Sequence, residues 1–170
     1  FGGTSVGSVT KIKKVAEIIA SYRKKKFNVI VVSSAMGGVT NDLISKSQKI
    51  CQNFSDSEHD VLVSSGEQVA CSLIASDLIE KGYLSRSWLG WQIPIITQGK
   101  YSHSKIVSIN KQKIVKFLKQ GGVPIIAGFQ GINIDNRITT IGRGGSDASA
   151  IMVSKFFKAK KCIIYTDVEG

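Results

Sequence analysis

The stretch NVIVVSSAMGGVTN, residues 28–41, decides the fold of this chain. Its first half is a β-branched run of the kind that lies buried in a parallel sheet, and a glycine pair follows where that run ends. Upstream of the run, apolar residues recur at helical spacing from Ile12 to Ile19. The pattern therefore predicts a helix, a buried strand, a glycine turn and a second helix in succession.

The same alternation of helical and extended patterns continues to the end of the chain. It predicts helices at residues 8–26, 41–52, 65–81, 110–120 and 146–157. It predicts strands at residues 28–34, 94–97, 123–128 and 161–168. This order indicates an α/β fold, a three-layer αβα sandwich around an open, mainly parallel sheet. We expect one domain over residues 1–170, incomplete at both ends and without its first strand.

Composition narrows the class of protein. The chain has 170 residues, of which 42% are apolar, which is enough for one sizeable core. No segment approaches the ~20 apolar residues of a membrane span, so we expect a cytoplasmic protein without a membrane partner. Cys51, Cys71 and Cys162 lie far apart in the sequence. We expect them to be small buried hydrophobic residues rather than disulfide or zinc ligands.

The net charge of +11 has two interpretations. A basic surface can bind nucleic acid, or it can be a solvated surface rich in lysine. Only four of the 23 basic residues are arginines, and no aromatic residues interleave with the lysines. These observations favour the solvated surface and make nucleic acid an unlikely partner.

Unusual residues collect where the predicted strands end, which is where ligands bind in open α/β sheets. These segments are FGGTS (1–5), SSAMGGVTN (33–41), GFQG (128–131), GRGGSD (142–147) and TDVEG (166–170). The chain contains no Walker A motif and no GxGxxG after a strand. His59 and His103 have no partners at metal-ligand spacing, so we predict no metal site built by the protein's side chains alone.

The segment GRGGSDASA, residues 142–150, is the richest of these turns. Its glycines let the backbone approach a ligand, and the amides of a helix N-terminus favour phosphate or carboxylate. Arg143 adds a planar group suited to bidentate recognition of such anions. Ser146 or Asp147 is expected to cap the helix. Asp147 has a second interpretation, in which it holds a lysine or the metal ion on the phosphates, and the spacing leaves both open.

Two further turns carry candidate substrate ligands. Ser34 and Thr40 either bind a small polar substrate or belong to a plain turn in which Thr40 or Asn41 caps the next helix. Glu67 is predicted to lie in the first turn of a helix. There it either interacts with the helix dipole or receives a substrate ammonium group.

With these turns assembled, the chain resembles the amino acid kinase family along its whole length, and within that family the aspartokinases. SGEQVA together with GRGGSD separates aspartokinases from the glutamate, acetylglutamate and nucleoside-monophosphate kinases of the family. The matching motifs, in the family's order, are FGGTSV, VVSSAMGGVTN, SGEQVA, SWLGWQ, AGFQG, TTIGRGGSDASA and YTDVEG.

The resemblance implies the carbamate kinase-like fold and a reaction. ATP, with Mg²⁺, phosphorylates the side-chain carboxylate of L-aspartate, the first step toward lysine, threonine, methionine and diaminopimelate. Arg143 would bind the aspartate α-carboxylate, Glu67 its ammonium, and Asp147 would organise the cationic centre. The other implied substrate residues are Ser34, Thr40, Gly144, Gly145 and Ser146. The implied nucleotide contacts are Gly2, Gly3, Thr4, Thr166 and Asp167, with Gly2 and Gly3 also counted as catalytic.

The resemblance also implies what the printed sequence lacks. Family members carry a lysine before the phenylalanine that is residue 1 here, and they continue into the rest of the nucleotide lobe and two regulatory ACT modules. The parent is expected to oligomerise through those modules, and the 170-residue piece is expected to be inactive or nearly so. Two alternatives stay open: another carboxylate kinase of the family, and a non-catalytic remnant that binds nucleic acid.

Overall fold

The computed structural model describes residues 1–142 and 144–166, so Arg143 and Asp167, two predicted site residues, lie outside the described residues. The helices are α1 Val9–Lys24, α2 Val39–Ile50, α3 Asp56–Glu80, α4 Gln112–Lys119 and α5 Gly145–Phe157. The strands are β1 Val31–Ser33, β2 Ser85–Trp88, β3 Ile95–Gln98, β4 Lys105–Ile109, β5 Val123–Ala127, β6 Gln130–Ile132 and β7 Ile138–Thr140.

The strands form two sheets within the described part of the chain. The first has the order β1-β5-β2, and both of its pairings are parallel, with Val31 opposite Ile125. The second has the order β4-β3-β6-β7. In it β3 pairs parallel with β6, whereas the other two pairings are antiparallel. The predicted parallel sheet is thus present, together with a mixed sheet that the sequence pattern did not predict.

The parallel sheet is the middle of three layers. Val31 belongs to a core that also contains Ile12 of α1 and Ile74 of α3. Its neighbour Val32 belongs to a second core, which contains Val153 of α5 and residues of α4. Successive residues of a strand point to opposite faces, so α1 and α3 cover one face of the sheet while α4 and α5 cover the other. The predicted three-layer αβα architecture is confirmed.

Two predicted elements need correction. α3 begins at Asp56 rather than at residue 65, with the acidic side chains of Asp56 and Glu58 in its first turn, where the helix dipole favours them. The strand predicted at residues 161–168 is wrong for its described part, because residues 161–166 form no strand. That segment contacts the start of the chain through a hydrogen bond from the Gly2 N–H to the Tyr165 carbonyl, at 3.0 Å.

The cysteine prediction is right for one residue in three. Cys71 is buried in α3, whereas Cys51 and Cys162 are exposed. Cys51 is exposed because it caps the carboxyl end of α2, and Cys162 because it lies in the segment that forms no strand. Within the described residues, no helix combines the length and the apolar character that crossing a membrane requires.

Candidate active site

A cavity of about 300 Å³ opens where β1 and β5 end, at the edge of the sheet that the strand-end motifs predict. Six residues chosen from the sequence line it: Gly3, Ser34, Thr40, Glu67, Gly145 and Ser146. The other lining residues are Ala35, Met36, Gly37, Gly38 and Phe129. The structure therefore brings the predicted substrate residues of several separate segments around one cavity.

Glu67 has the most unusual environment in this cavity. Only 3% of the residue is exposed, its Oε1 accepts a hydrogen bond from the Ala35 N–H at 3.1 Å, and its Oε2 is buried without a partner among the described residues. Burial raises the pKa of the carboxyl to about 7, although the Ala35 N–H acts to lower it. The group is thus a half-satisfied carboxylate on the wall of a cavity.

The interpretation of Glu67 as a helix-dipole residue is wrong. Because α3 begins at Asp56, Glu67 lies in the interior of a 25-residue helix, where the dipole of the N-terminus has little effect. Gly66 explains how the helix approaches the turn after β1 so closely. A Cβ atom on Gly66 would lie 2.8 Å from the Ala35 Cβ and 3.2 Å from the Val39 Cγ1.

Two glycine turns pack against each other in the wall of the cavity. The Gly37 N–H donates to the Gly3 carbonyl at 3.0 Å, and a Cβ on Gly3 would lie 3.0 Å from the Ala35 carbonyl oxygen. Gly38, at φ 87°, is the N-cap of α2, and no side chain caps this helix. The interpretation of Thr40 or Asn41 as a cap is therefore wrong, and Thr40 instead faces the cavity from the first turn of α2.

The N-terminus of α5 forms a third part of the wall. Gly144, at φ 87°, is its N-cap, and no side chain caps the helix, so the capping interpretation of Ser146 and Asp147 is wrong. Gly145 and Ser146 line the cavity, whereas Asp147 is exposed in the first turn and is not part of the lining. The Gly145 N–H already donates to the Gly142 carbonyl at 3.0 Å and the Asp147 N–H to the Gly144 carbonyl at 2.8 Å, so this helix start would attract an anion mainly through its dipole.

Most of the described residues that were predicted to contact the nucleotide do not line the cavity. The Gly2 amide already donates to the Tyr165 carbonyl, and the Phe1 and Tyr165 rings stack with centroids 4.6 Å apart. Thr4 is exposed, and its carbonyl accepts a hydrogen bond from the Lys11 Nζ at 2.8 Å. Thr166 follows Tyr165 and is exposed. Of the four described residues predicted there, Gly3 is the one that lines the cavity.

Phe129 is a lining residue that the sequence reasoning did not select. Its backbone is in the left-handed region, at φ 63°, which is rare for an aromatic residue. The conformation is held by a hydrogen bond from its N–H to the Ser149 Oγ at 2.9 Å and by one from the Ile141 N–H to its carbonyl at 2.8 Å. The available signal was its place between strand β5 and a second glycine in GFQG.

The amino acid kinase family model matches residues 1–170, and the chain belongs to this family. The aspartokinase of Rickettsia felis is 49% identical over 173 residues, which cover all of this chain and 43% of that protein. The aspartokinase of Bacillus sp. strain MGA3 is 45% identical over 170 residues, covering all of this chain and 41% of that protein. The crystal structure of aspartate kinase from Synechocystis aligns with a TM-score of 0.84 at 40% identity, over 99% of this chain and 28% of that chain. The chain thus spans less than half the length of these relatives.

Proposed function

We propose that the whole protein is an aspartokinase, which transfers the γ-phosphate of ATP to the side-chain carboxylate of L-aspartate. The observation that carries this proposal is the buried Oε2 of Glu67 on the cavity wall, which has no hydrogen-bond partner among residues 1–142 and 144–166. Burying such an oxygen is costly unless a ligand supplies a cationic donor, and the α-ammonium of an amino acid is one. The 49% identity to the Rickettsia felis aspartokinase supports aspartate as that amino acid.

The chemistry needs no general base. The side-chain carboxylate of aspartate has a reference pKa of about 3.9, so it is already ionised and nucleophilic near neutral pH. The obstacle is repulsion between this anion and the phosphates, so catalysis consists of positioning and charge neutralisation. The Gly3 amide on the cavity wall and the positive end of the dipole of α5, a 13-residue helix, are suited to that task.

The remaining roles are proposed from the family resemblance and from position. Ser34, Thr40 and Ser146 present hydroxyls to the substrate from the cavity wall. Arg143 is proposed for the substrate α-carboxylate, and Thr166 and Asp167 for the nucleotide. The predicted single catalytic domain, cytoplasmic location, oligomeric parent and weak activity of the 170-residue piece remain predictions.

The residues present also fit a magnesium ion bound together with ATP. No group of three His, Cys, Asp or Glu side chains among residues 1–142 and 144–166 could hold a metal by itself. Mg²⁺ is usually held by one or two carboxylates together with substrate phosphates and water. The exposed Asp147 carboxylate, in the first turn of α5, would be its ligand. The ion would neutralise charge on the phosphates.

The test is a trapping assay on the intact gene product. With ATP, Mg²⁺, L-aspartate and hydroxylamine, we expect aspartyl hydroxamate to accumulate. L-glutamate and N-acetylglutamate in place of aspartate distinguish the other carboxylate kinases of the family. Product from one of these acids and none from aspartate would replace the proposal by that alternative.

A second arm tests the observation that carries the proposal. Succinate has the carboxylates of aspartate but no ammonium group, so it should bind the wild-type protein far more weakly than aspartate. The ratio of aspartate affinity to succinate affinity should be smaller in Glu67→Gln than in the wild-type protein. An unchanged preference in that variant would remove Glu67 from the ammonium site.

A further inference from the structure

A buried carboxylate outside the cavity joins two of its walls. Asp60 is 0% exposed and lies on α3, seven residues before Glu67. Seven residues are nearly two helical turns, so both side chains project from the same face of the helix, about 10 Å apart along its axis. Neither the predicted roles nor the proposed function uses Asp60.

Asp60 accepts four hydrogen bonds from two distant segments. Its Oδ2 accepts the Thr140 N–H at 2.7 Å and the Ser102 N–H at 2.9 Å. Its Oδ1 accepts the Thr140 hydroxyl at 2.7 Å and the Ser102 hydroxyl at 2.8 Å. His59 lies next to this group, with its Nδ1 3.8 Å from the Asp60 Oδ1. This carboxylate is therefore fully satisfied by the protein.

Thr140 is the last residue of β7, and the chain reaches the cavity directly after it. Gly142 follows two residues later, and Gly145 and Ser146 line the cavity. The turn that contains Ser102 packs on the same segment, because the Ser104 N–H donates to the Thr140 carbonyl at 3.1 Å and a Cβ on Gly142 would lie 3.4 Å from the His103 Cα. Asp60 therefore connects α3, through hydrogen bonds, to the end of β7 and to the turn that contains Ser102.

We propose that Asp60 is a positioning residue of the substrate site, which sets the distance between Glu67 and the segment formed by Gly142, Gly144, Gly145 and Ser146. The inference rests on the proposed function for its kinetic consequence. Glu67 is placed for the substrate ammonium and the N-terminus of α5 for its anionic groups. A fixed distance between them selects a ligand with charges at that spacing, and small displacements of such groups can cost up to a hundredfold in rate.

The test compares adjacent threonines of β7 in the intact gene product. Thr139 and Thr140 are both buried, and each hydroxyl makes one side-chain hydrogen bond, but that of Thr139 goes to Thr97 and that of Thr140 to Asp60. Thr140→Val is expected to raise the KM for aspartate about fivefold and the KM for ATP to a smaller extent. Thr139→Val is expected to lower the Tm about as much as Thr140→Val does, but without changing the KM for aspartate or for ATP.

Asp60 itself is changed in two ways. Asp60→Ala is expected to raise the KM for aspartate at least about tenfold. Asp60→Asn is expected to restore it to near the wild-type value, because the amide oxygen can accept both N–H groups while the NH₂ donates to both hydroxyls. Equal KM values for the two threonine variants, or an Asn variant as defective as the Ala variant, would overturn the proposal.

Hydrogen exchange keeps the inference separate from the proposed function. Amide exchange in the peptide that spans residues 141–146 should quicken in Thr140→Val and Asp60→Ala, but not in Thr139→Val. If the wild-type protein makes no aspartyl hydroxamate, the proposed function has failed and exchange still decides the role of Asp60. Unchanged exchange in that peptide overturns the positioning role, whatever the reaction.

Discussion

Two carboxylates on the buried face of α3 are in opposite states. Asp60 accepts four hydrogen bonds from Ser102 and Thr140. Glu67, seven residues later, accepts one from Ala35 and keeps an oxygen without a partner among the described residues. Both residues are almost fully buried, at 0% and 3% exposure.

The difference separates stability from ligand binding within one helix. A buried carboxylate with four donors stabilises the protein, and its removal leaves those donors unsatisfied. A buried carboxylate with one donor costs stability until a ligand completes it, which also explains why burial dominates at Glu67 and raises its pKa to about 7. A local cost in folding free energy, kept at one position of a protein in which most other buried polar groups have partners, is typical of a functional site.

The largest expected effect is on stability, at Asp60. Asp60→Ala should lower the free energy of unfolding by about 2–4 kcal/mol, because two backbone N–H groups and two hydroxyls lose their acceptor. Glu67→Gln, on the same helix, should leave stability unchanged or raise it, because it removes a charge that is only half satisfied. Urea unfolding of both variants without ligands measures the contrast. Equal losses in the two variants would show that the carboxylates do not differ.

The next effect is on substrate binding, at Glu67. Glu67→Gln keeps the size of the side chain and the acceptor for the Ala35 N–H but loses the negative charge. The KM for aspartate should rise about 10- to 100-fold, which corresponds to the loss of a charge-assisted hydrogen bond. Glu80→Gln, at the exposed end of the same helix, is the control and should leave the KM unchanged. A similar KM in both variants contradicts the ammonium role.

Sequence patterns could predict the layers and the edge that carries the cavity. Both follow from local rules: apolar periodicity at residues 12–19 and 28–34 defines a helix and a buried strand, and parallel strands end at a common edge. The glycine motifs could therefore be expected to meet. Gly3, Ser34 and Glu67 do meet there, although they are distant in sequence.

Sequence patterns could not predict Asp60 or the true position of Glu67. The donors to Asp60 lie 42 and 80 residues away, so its satisfaction depends on tertiary structure alone. The sequence pattern placed Gly66 in the first turn of a helix, whereas it is an interior glycine of α3 that permits close packing on Ala35. Likewise, hydroxyl residues near Gly38 and Gly144 suggested side-chain caps where left-handed glycines take the N-cap position.

The pH dependence of stability should report Glu67 directly. Its folded-state pKa is raised from 4.5 to about 7, so the folded protein holds this proton over a range in which the unfolded chain has lost it. The free energy of unfolding should therefore fall as pH rises from 4.5 toward 7, by about 3 kcal/mol, because each unit of pKa difference corresponds to about 1.4 kcal/mol. Aspartate affinity should rise over the same range, because the ionised carboxylate accepts the ammonium. Urea unfolding across this pH range gives the free energy of unfolding of the wild-type protein and of Glu67→Gln, and the difference between them isolates the contribution of Glu67. A difference that does not change with pH would contradict the raised pKa.

The smallest effect should come from the glycine that lets α3 reach the cavity. Gly66→Ala adds a Cβ that would lie 2.8 Å from the Ala35 Cβ, so the helix or the turn must shift and the 3.1 Å contact between the Ala35 N and the Glu67 Oε1 should lengthen. We expect a loss of about 1 kcal/mol in stability and a rise of about threefold in the KM for aspartate. Gly82→Ala is the control. Gly82 has φ +81°, and no atom lies within 4 Å of an added Cβ, so the variant loses stability through backbone strain alone. Gly82 lies beyond the carboxyl end of α3. Because the two variants should lose similar stability, a KM that rises only in Gly66→Ala assigns the effect to the distance between α3 and the turn after β1.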